Sequence, residues 1–457
     1  MTEPKIVIIG AGPAGVRAAA TLARAGRRVT LIDENARIGG QIYRQPPAGA
    51  ERPADALYGF EAAKATAVHH ALDGLEIDYR PETLVWNARE RGLDLTGPRG
   101  PERLEFDRLV LATGATDRSI PFPGWTLPGV FSLGGAQIAL KAQGCAIGRR
   151  VVFAGTGPLL LLVAYQYAKA GATVAAVLDT SPFATKVRAL PGLLALPTML
   201  AKGLYYRAQL KRRGIPVIEG VEGFAVEGDQ RPEAITWRRA GAGGRIACDA
   251  VGAGFGLRSE TQLADLLGCG FAFDAFNRQW LPVKDAAGRA SERHIYLAGD
   301  GAGIAGADAA ELAGERVAWT LLGDLGAPVD TGRVAALDRD LARIARFRRA
   351  IETAFPFPYH FHADIADDLT ICRCEGVTAG DLRRQVNERE ASEMNRLKAF
   401  SRLGMGRCQS RMCASAGAEL LSLWRGVEIG TVGRLRGQAP VKPIAVTAAA
   451  AAPEEAA

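Results

Sequence analysis

The sequence predicts an α/β fold in which one dinucleotide-binding unit is inserted into another and a small helical domain follows. Three observations predict it. A strand, a Gly-x-Gly-x-x-Gly turn, a helix and a second strand succeed one another at residues 5–34, "KIVIIGAGPAGVRAAATLARAGRRVTLIDE". The pattern recurs at residues 149–179, "RRVVFAGTGPLLLLVAYQYAKAGATVAAVLD". Four of the seven cysteines stand in two short pieces near the end, "TICRCEG" and "GRCQSRMC".

Composition agrees with such a chain. Its 457 residues are 48% hydrophobic, enough for two or three separate cores. The net charge of +7 comes with no basic stripe interleaved with aromatics, so nucleic acid is not an expected partner. Anionic cofactors and acidic partners account for the surplus. The first strand starts at once, which leaves no room for a signal peptide. The most apolar run, 158–178, is broken by Gln166, Lys169 and Gly171 and reads as helix, turn and strand. A membrane span needs about 20 apolar residues. The expected location is the cytoplasm, with membrane contact at most peripheral, at the inner face. Thiols stay reduced there, so clustered cysteines point to metal or catalysis.

In the first unit, Gly10 makes the tight turn, Gly12 lets backbone approach a pyrophosphate, and Gly15 lets helix pack on strand. Pro13 and Ala14 complete the turn. The helix start offers free N–H groups and a positive dipole to phosphates. Asp33, ending the second strand, is placed to accept from the adenosine ribose hydroxyls, with Glu34 as its substitute.

Two distant segments complete the unit. One strand ends in Ala112-Thr113-Gly114, and another, in "HIYLAGDGAGIAGADAAELAGERVA", ends in Gly299-Asp300 before a glycine-rich turn and a helix. With "IGGQIYRQ" at 38–45, these segments resemble the two-dinucleotide-binding-domain flavoproteins. The resemblance implies FAD, with Asp300 on the ribitol chain and the helix after it facing the flavin pyrimidine or a phosphate. Thr113 and Gly114 close the site, and Gly40 and Gln41 approach the flavin. Asp300 also reads as a plain helix-capping aspartate.

The second unit keeps Gly155 and Gly157 but has Leu160 at the third glycine position, and its acid, Asp179, comes one position late. A leucine there separates or tilts helix and strand. NAD(P)H, another adenine nucleotide and no ligand all remain open. Residues 1–118 and 282–330 are expected to form the FAD-binding domain, with 119–281 inserted as the NAD(P)-binding-like domain. A helical linker at 331–370, a cysteine domain at 371–430 and a tail at 431–457 follow, the low-complexity end of the tail being disordered. Cys145, Cys248 and Cys269 are isolated, so disulfide reduction is not expected and each should be buried as a small apolar residue.

In the linker, residues 333–355 read as a helix, and "PFPYHFHADIADD" should lie on the surface of another domain. His360 and His362 there read as packed or solvated side chains. Cys372, Cys374, Cys408 and Cys413 are a ligand set for [2Fe–2S], [4Fe–4S] or zinc. The C-x-C spacing argues against zinc, whose paired cysteines have two to four residues between them. Arg373, Arg407 and Arg411 would offset the cluster's negative charge. Between the pairs, 377–389 and 393–406 read as short helices, the first capped by Thr378. The pattern resembles the small [2Fe–2S] domain of bacterioferritin-associated ferredoxin.

"GAGPAG", "LATGA", "GVFSLGGAQIALKAQG", "GTGPLLLLVA", "IYLAGDGAGIAGA" and "ICRCEGVT…GMGRCQSRMC" occur in the order seen in one group. The chain resembles the α (A) subunits of bacterial multi-subunit amine and amino-acid dehydrogenases: opine oxidase, hydrogen cyanide synthase and D-hydroxyproline dehydrogenase. The resemblance implies a β subunit similar to D-amino-acid or glycine oxidases, which oxidises the substrate on its own flavin. This chain would relay electrons to an acceptor, and a small ferredoxin-like γ subunit is often a third partner. No residue stands out as catalytic. A self-sufficient NAD(P)H:acceptor oxidoreductase and a cofactor-loaded scaffold are the alternatives.

Overall fold

The computed structural model describes residues 3–446; the low-complexity end from 447 lies outside the described residues. Five parallel strands form the first sheet, in the order Ile295–Leu297, Arg108–Leu111, Ile6–Ile9, Val29–Ile32, Ile77–Arg80. The central strand, IVII, is buried throughout, as a parallel strand covered on both faces must be. The helices Pro13–Arg24 and Ala307–Asp324 cover one face. They meet closely because Gly314 lies on Ala14, where a Cβ would come within 2.0 Å of the Ala14 carbonyl oxygen. Leu93 and Leu95, from a three-stranded antiparallel sheet at 84–105, cover the other face.

The second unit repeats this plan. Its parallel sheet runs Val217–Glu219, Thr173–Asp179, Arg150–Thr156, Ala250–Phe255, Val130–Ser132. The helices Leu133–Ala142 and Pro158–Lys169 pack on one face, and an antiparallel sheet at 223–247 contributes to the core on the other. The apolar run is therefore a helix and a strand, as its interruptions predict. No described helix is long and apolar enough to cross a membrane. The crossover between Thr173–Asp179 and Val217–Glu219 contains two helices, Phe183–Leu193 and Pro197–Arg212.

The antiparallel pair Ala115–Asp117 and Leu257–Ser259 joins the two units. Leu263, Ala264 and Cys269 already pack in the first unit's core, so the chain re-enters it well before residue 282. Cys248 and Cys269 are buried as expected, but Cys145 is exposed, because it follows the helix Leu133–Ala142 in a surface loop.

The helix Thr331–Ala354, capped by Asp330, rests on Phe183–Leu193, where Gly192 faces Ala350. The aromatic linker then crosses the second unit: the Phe361 ring centroid lies 5.1 Å from that of Phe224 and 5.6 Å from that of Phe255. His362 is buried and stacks on Phe357, and burial pushes it down to about 4, so it is neutral near pH 7. The cysteine domain holds three helices, Ala379–Glu388, Met394–Ser401 and Ala414–Arg425, around Leu382, Leu397 and Leu420. Thr378 and Asp381 form a reciprocal capping box on the first.

Residues 431–446 are more than a tail. Asp265 accepts from both Arg434 guanidinium nitrogens, from Arg436 and from the Gly437 N–H. Further on, the Val441 N–H donates to the Trp86 carbonyl (2.9 Å), and Lys442 pairs with Glu34. This strap ties the cysteine domain to the first unit.

Candidate cofactor sites

The first site is built by backbone proximity. Gly10 has φ +103°, and a Cβ there would lie 2.3 Å from the Ala112 oxygen; at Gly15 it would lie 1.8 Å from the Gly10 oxygen. Gly40, at φ +60°, approaches the Gly12 Cα so closely that a Cβ would come within 2.8 Å. The loop at 38–45 is thus folded over the turn. Beside it opens a cleft of about 360 Å³ lined by Ala36, Arg37, Ile38, Gln45, Leu72 and Tyr79. The Tyr79 hydroxyl and Arg44 Nε are buried without a partner among the described residues.

Asp33 is buried and both its oxygens are engaged. Oδ2 accepts from the Ala11 N–H (2.6 Å), and Oδ1 from the Asn35 N–H and side-chain amide (2.7 Å each). Burial raises its pKa, against the pull of these donors. Asn35 carried no signal in the sequence pattern. Gln41 is exposed and accepts from Arg44 at 2.6 Å. Asp300 Oδ1 accepts from the Ala305 and Gly306 N–H groups (2.8 and 2.9 Å), and Oδ2 has no partner among the described residues. The aspartate therefore organises the loop before the helix and keeps an oxygen open.

Side chains cap some helix starts and leave others open, those after the dinucleotide turns among the open ones. The helices starting at Leu133, Thr331, Ala379 and Met394 are capped by the side chains of Ser132, Asp330, Thr378 and Glu393. Those starting at Pro13, Pro158 and Ala307 begin at Gly12, Gly157 and Gly306 with no side-chain cap. Their first N–H groups are left for an outside acceptor, which is what a pyrophosphate needs. The close-packed glycines, open helix ends and orphaned polar atoms fit a dinucleotide.

The second turn differs. Gly155 packs on Gly254 as Gly10 packs on Ala112, and Leu160 is fully buried in the helix-side core. Asp179 accepts from the Ser181 N–H (2.9 Å) and Lys186 (2.6 Å), and Lys186 also reaches Glu219 (2.5 Å), which Arg207 grips with two nitrogens.

The four terminal thiols converge. Cys372 interacts with Cys413 and Cys374 with Cys408, and all three others perturb Cys413. The Cys413 thiol and the N–H groups of Gly404, Glu375 and Cys374 hold Cys372 down to about 6, against burial. Among the described residues no group of three or more His, Cys, Asp or Glu is placed to hold a metal ion. Two thiolate pairs suit a two-iron cluster, which takes two ligands on each iron. Cys372 and Cys413 are buried, while Cys374 and Cys408 are partly open beside exposed Arg373, Met405 and Arg407.

A segment with no sequence signature joins the sites. Thr113 Oγ1 donates to the Glu260 carbonyl (2.6 Å), the Glu260 N–H to the Gly114 carbonyl (3.0 Å), and Ser259 Oγ to the Asp300 carbonyl (2.6 Å). From its other side, Glu260 binds Arg411 (2.7 Å), Arg258 donates to the carbonyls of Ser410 and Arg411, and Gln262 to that of Gln409. Gln409 and Ser410 have positive φ (49° and 69°), so this clamp holds the loop between Cys408 and Cys413 in a conformation non-glycine residues seldom adopt.

Comparison with known proteins agrees with this architecture. Residues 4–315 match the pyridine nucleotide-disulphide oxidoreductase family, and 370–422 match the BFD-like [2Fe-2S] binding domain. The α (A) subunit of opine oxidase from Rhizobium meliloti is 37% identical, over 99% of this chain and 88% of its own. The hydrogen cyanide synthase subunit HcnB of Pseudomonas aeruginosa is 35% identical, over 97% of each chain. Among solved structures, L-proline dehydrogenase from P. horikoshii superposes with a TM-score of 0.70 at 20% identity, covering 98% of this chain and 79% of the other. The chain therefore belongs to the pyridine nucleotide-disulphide oxidoreductase family, in the group of HcnB and the α (A) subunits of opine oxidases, as an oxidoreductase subunit that carries FAD and a [2Fe–2S] cluster.

Proposed function

We propose that this chain is the electron-transfer subunit of a multi-subunit amine or amino-acid dehydrogenase, relaying electrons from a D-amino-acid-oxidase-like β subunit to an acceptor. The observation that carries this reading is the clamp at 257–262, which touches the strand ends of the first nucleotide site with one edge and the cysteine loop with the other. When bound, FAD supplies two-electron redox chemistry and the cluster one-electron transfer, and the protein supplies position and electrostatics. Gly10, Gly12, Pro13, Ala14 and Gly15 would seat the pyrophosphate, with Gly40 and Gln41 on the flavin side. Asp33 would order the turn and offer its remaining lone pairs to the ribose, Glu34 being taken by Lys442. Thr113, Gly114, Gly299 and Asp300 would close the flavin end. Gly155 and Gly157 would offer the second unit's open helix end to a phosphate-bearing nucleotide. Cys372, Cys374, Cys408 and Cys413 would hold the cluster, with the Cys374–Cys408 edge facing the partner.

Rapid-freeze EPR of the assembled complex, mixed anaerobically with its amine substrate, tests the relay. A reduced-cluster signal should rise during turnover and vanish in Cys374→Ser, which loses iron but keeps FAD. Glu260→Gln should keep both cofactors and delay the signal. A cluster that stays oxidised through turnover defeats the relay, and prompt flavin bleaching by NADH favours a self-sufficient NAD(P)H oxidoreductase.

A further inference from the structure

The two-helix crossover of the second unit is used by none of the sites above. A parallel crossover needs about a dozen residues; this one is roughly three times as long. Phe183, Val187, Leu190 and Leu194 are exposed, and their i, i+4, i+7, i+11 spacing puts them on one helix face. An adjacent face, with Ala189 and Leu193, is the one buried on the helix Thr331–Ala354. Met199, Leu204 and Tyr205 are exposed on the next helix, and Phe60 extends the surface, its ring centroid 5.0 Å from that of Tyr205. A cluster of large apolar side chains in water marks a docking surface.

Charge identifies what docks there. From Thr180 to Ile218 the sequence has seven Lys or Arg and no Asp or Glu, although the whole chain has 49 acidic residues. Lys186, Lys202 and Arg207 are paired with Asp179, Glu61 and Glu219 from outside the stretch. Arg188, Lys211, Arg212 and Arg213 have no carboxylate partner among the described residues, and Lys211–Arg213 close the second helix. A protein partner presents both signs and tolerates carboxylates across from its own cations. A plane of anionic headgroups repels every carboxylate and attracts every free cation. Apolar side chains flanked by cations, with no acid in the stretch itself and its neighbouring carboxylates Asp179, Glu61 and Glu219 already paired, is the pattern of helices lying in a membrane interface.

We propose that this two-helix crossover seats the protein on an anionic lipid surface. The exposed side chains Phe183, Val187, Leu190 and Leu194 enter the boundary between headgroups and acyl chains. Arg188, Lys211 and Arg212 meet the lipid phosphates. The inference does not depend on the relay.

Flotation of the purified, cofactor-loaded full chain tests it, using phosphatidylethanolamine vesicles containing phosphatidylglycerol, with phosphatidylcholine vesicles as control. The protein should float with the anionic vesicles only and be released by high salt. Leu190→Asp with Leu194→Asp, both on the solvent face, should weaken binding by about tenfold or more while bound flavin is unchanged. Lys211→Gln and Arg212→Gln should each weaken it about fivefold. Failure to float with anionic vesicles, or undiminished flotation of the Asp variant, overturns the proposal. So does an Asp variant that floats normally but no longer co-purifies with other subunits, which makes the surface a protein interface.

Discussion

The two nucleotide-binding units share a sheet plan and a turn, yet treat their third glycine position and their acid in opposite ways. In the first, Gly15 brings the helix backbone onto Gly10, so the helix start sits directly over the strand. In the second, Leu160 fills that space and the close approach survives only at Gly155. The first unit's Asp33 is held by amides, which order the turn without neutralising the carboxylate. The second unit's Asp179 is held by a lysine. One frame thus carries a turn organised for close backbone approach and a turn stabilised by packing and an ion-pair network. The fold conserves the scaffold, and the small residues decide the approach.

The contrast can be broken first at Gly15. Gly15→Val places side-chain atoms against backbone that cannot move aside, and overpacking costs about 1–3 kcal/mol or more. Flavin retained through purification, read by visible absorbance, should fall at least about tenfold. Leu160→Ala is the counterpart: it opens a cavity costing about 2–5 kcal/mol in thermal stability, while flavin content stays at the wild-type level. Equal flavin loss in both variants would abolish the distinction between the turns.

The smallest effect concerns the network around Asp179. Burial opposes it, but hydrogen bonds from Arg207 and Lys186 hold the Glu219 carboxyl down to about 2, below its ordinary 4.5. A depressed acid contributes stability that is present above its unfolded value and lost as pH falls through the folded one. Between about pH 5 and about pH 3, wild-type melting temperature should therefore fall more steeply than that of Glu219→Gln. Parallel curves would show that the network carries no net stability.

Much of this was legible in the sequence because it is local. The glycine turns, the helix and strand of the apolar run, the Thr378 cap and the paired cysteines each follow from residues a few positions apart. What was missed is tertiary. The stretch Arg258, Ser259, Glu260, Gln262 has no periodicity or motif, and its role exists only because strand pairing sets it between Gly114 and Ser410. Asn35 is the local exception: it bonds Asp33 from two residues away, but no pattern marks it. The strap at 434–442 read as tail because its partners, Asp265, Trp86 and Glu34, are far away in sequence. The exposed stripe of the crossover was equally hidden, since an apolar helix face predicts burial until the neighbouring elements are placed.

The strap also sets an order of events during synthesis. Chains emerge from the ribosome N-terminal end first and domains fold as units. Residues 434–442 follow everything they fasten, so the FAD-binding unit and the cysteine domain have both left the ribosome before the link between them closes. Until then the cysteines stand on a domain not yet tied down by Lys442 and Val441.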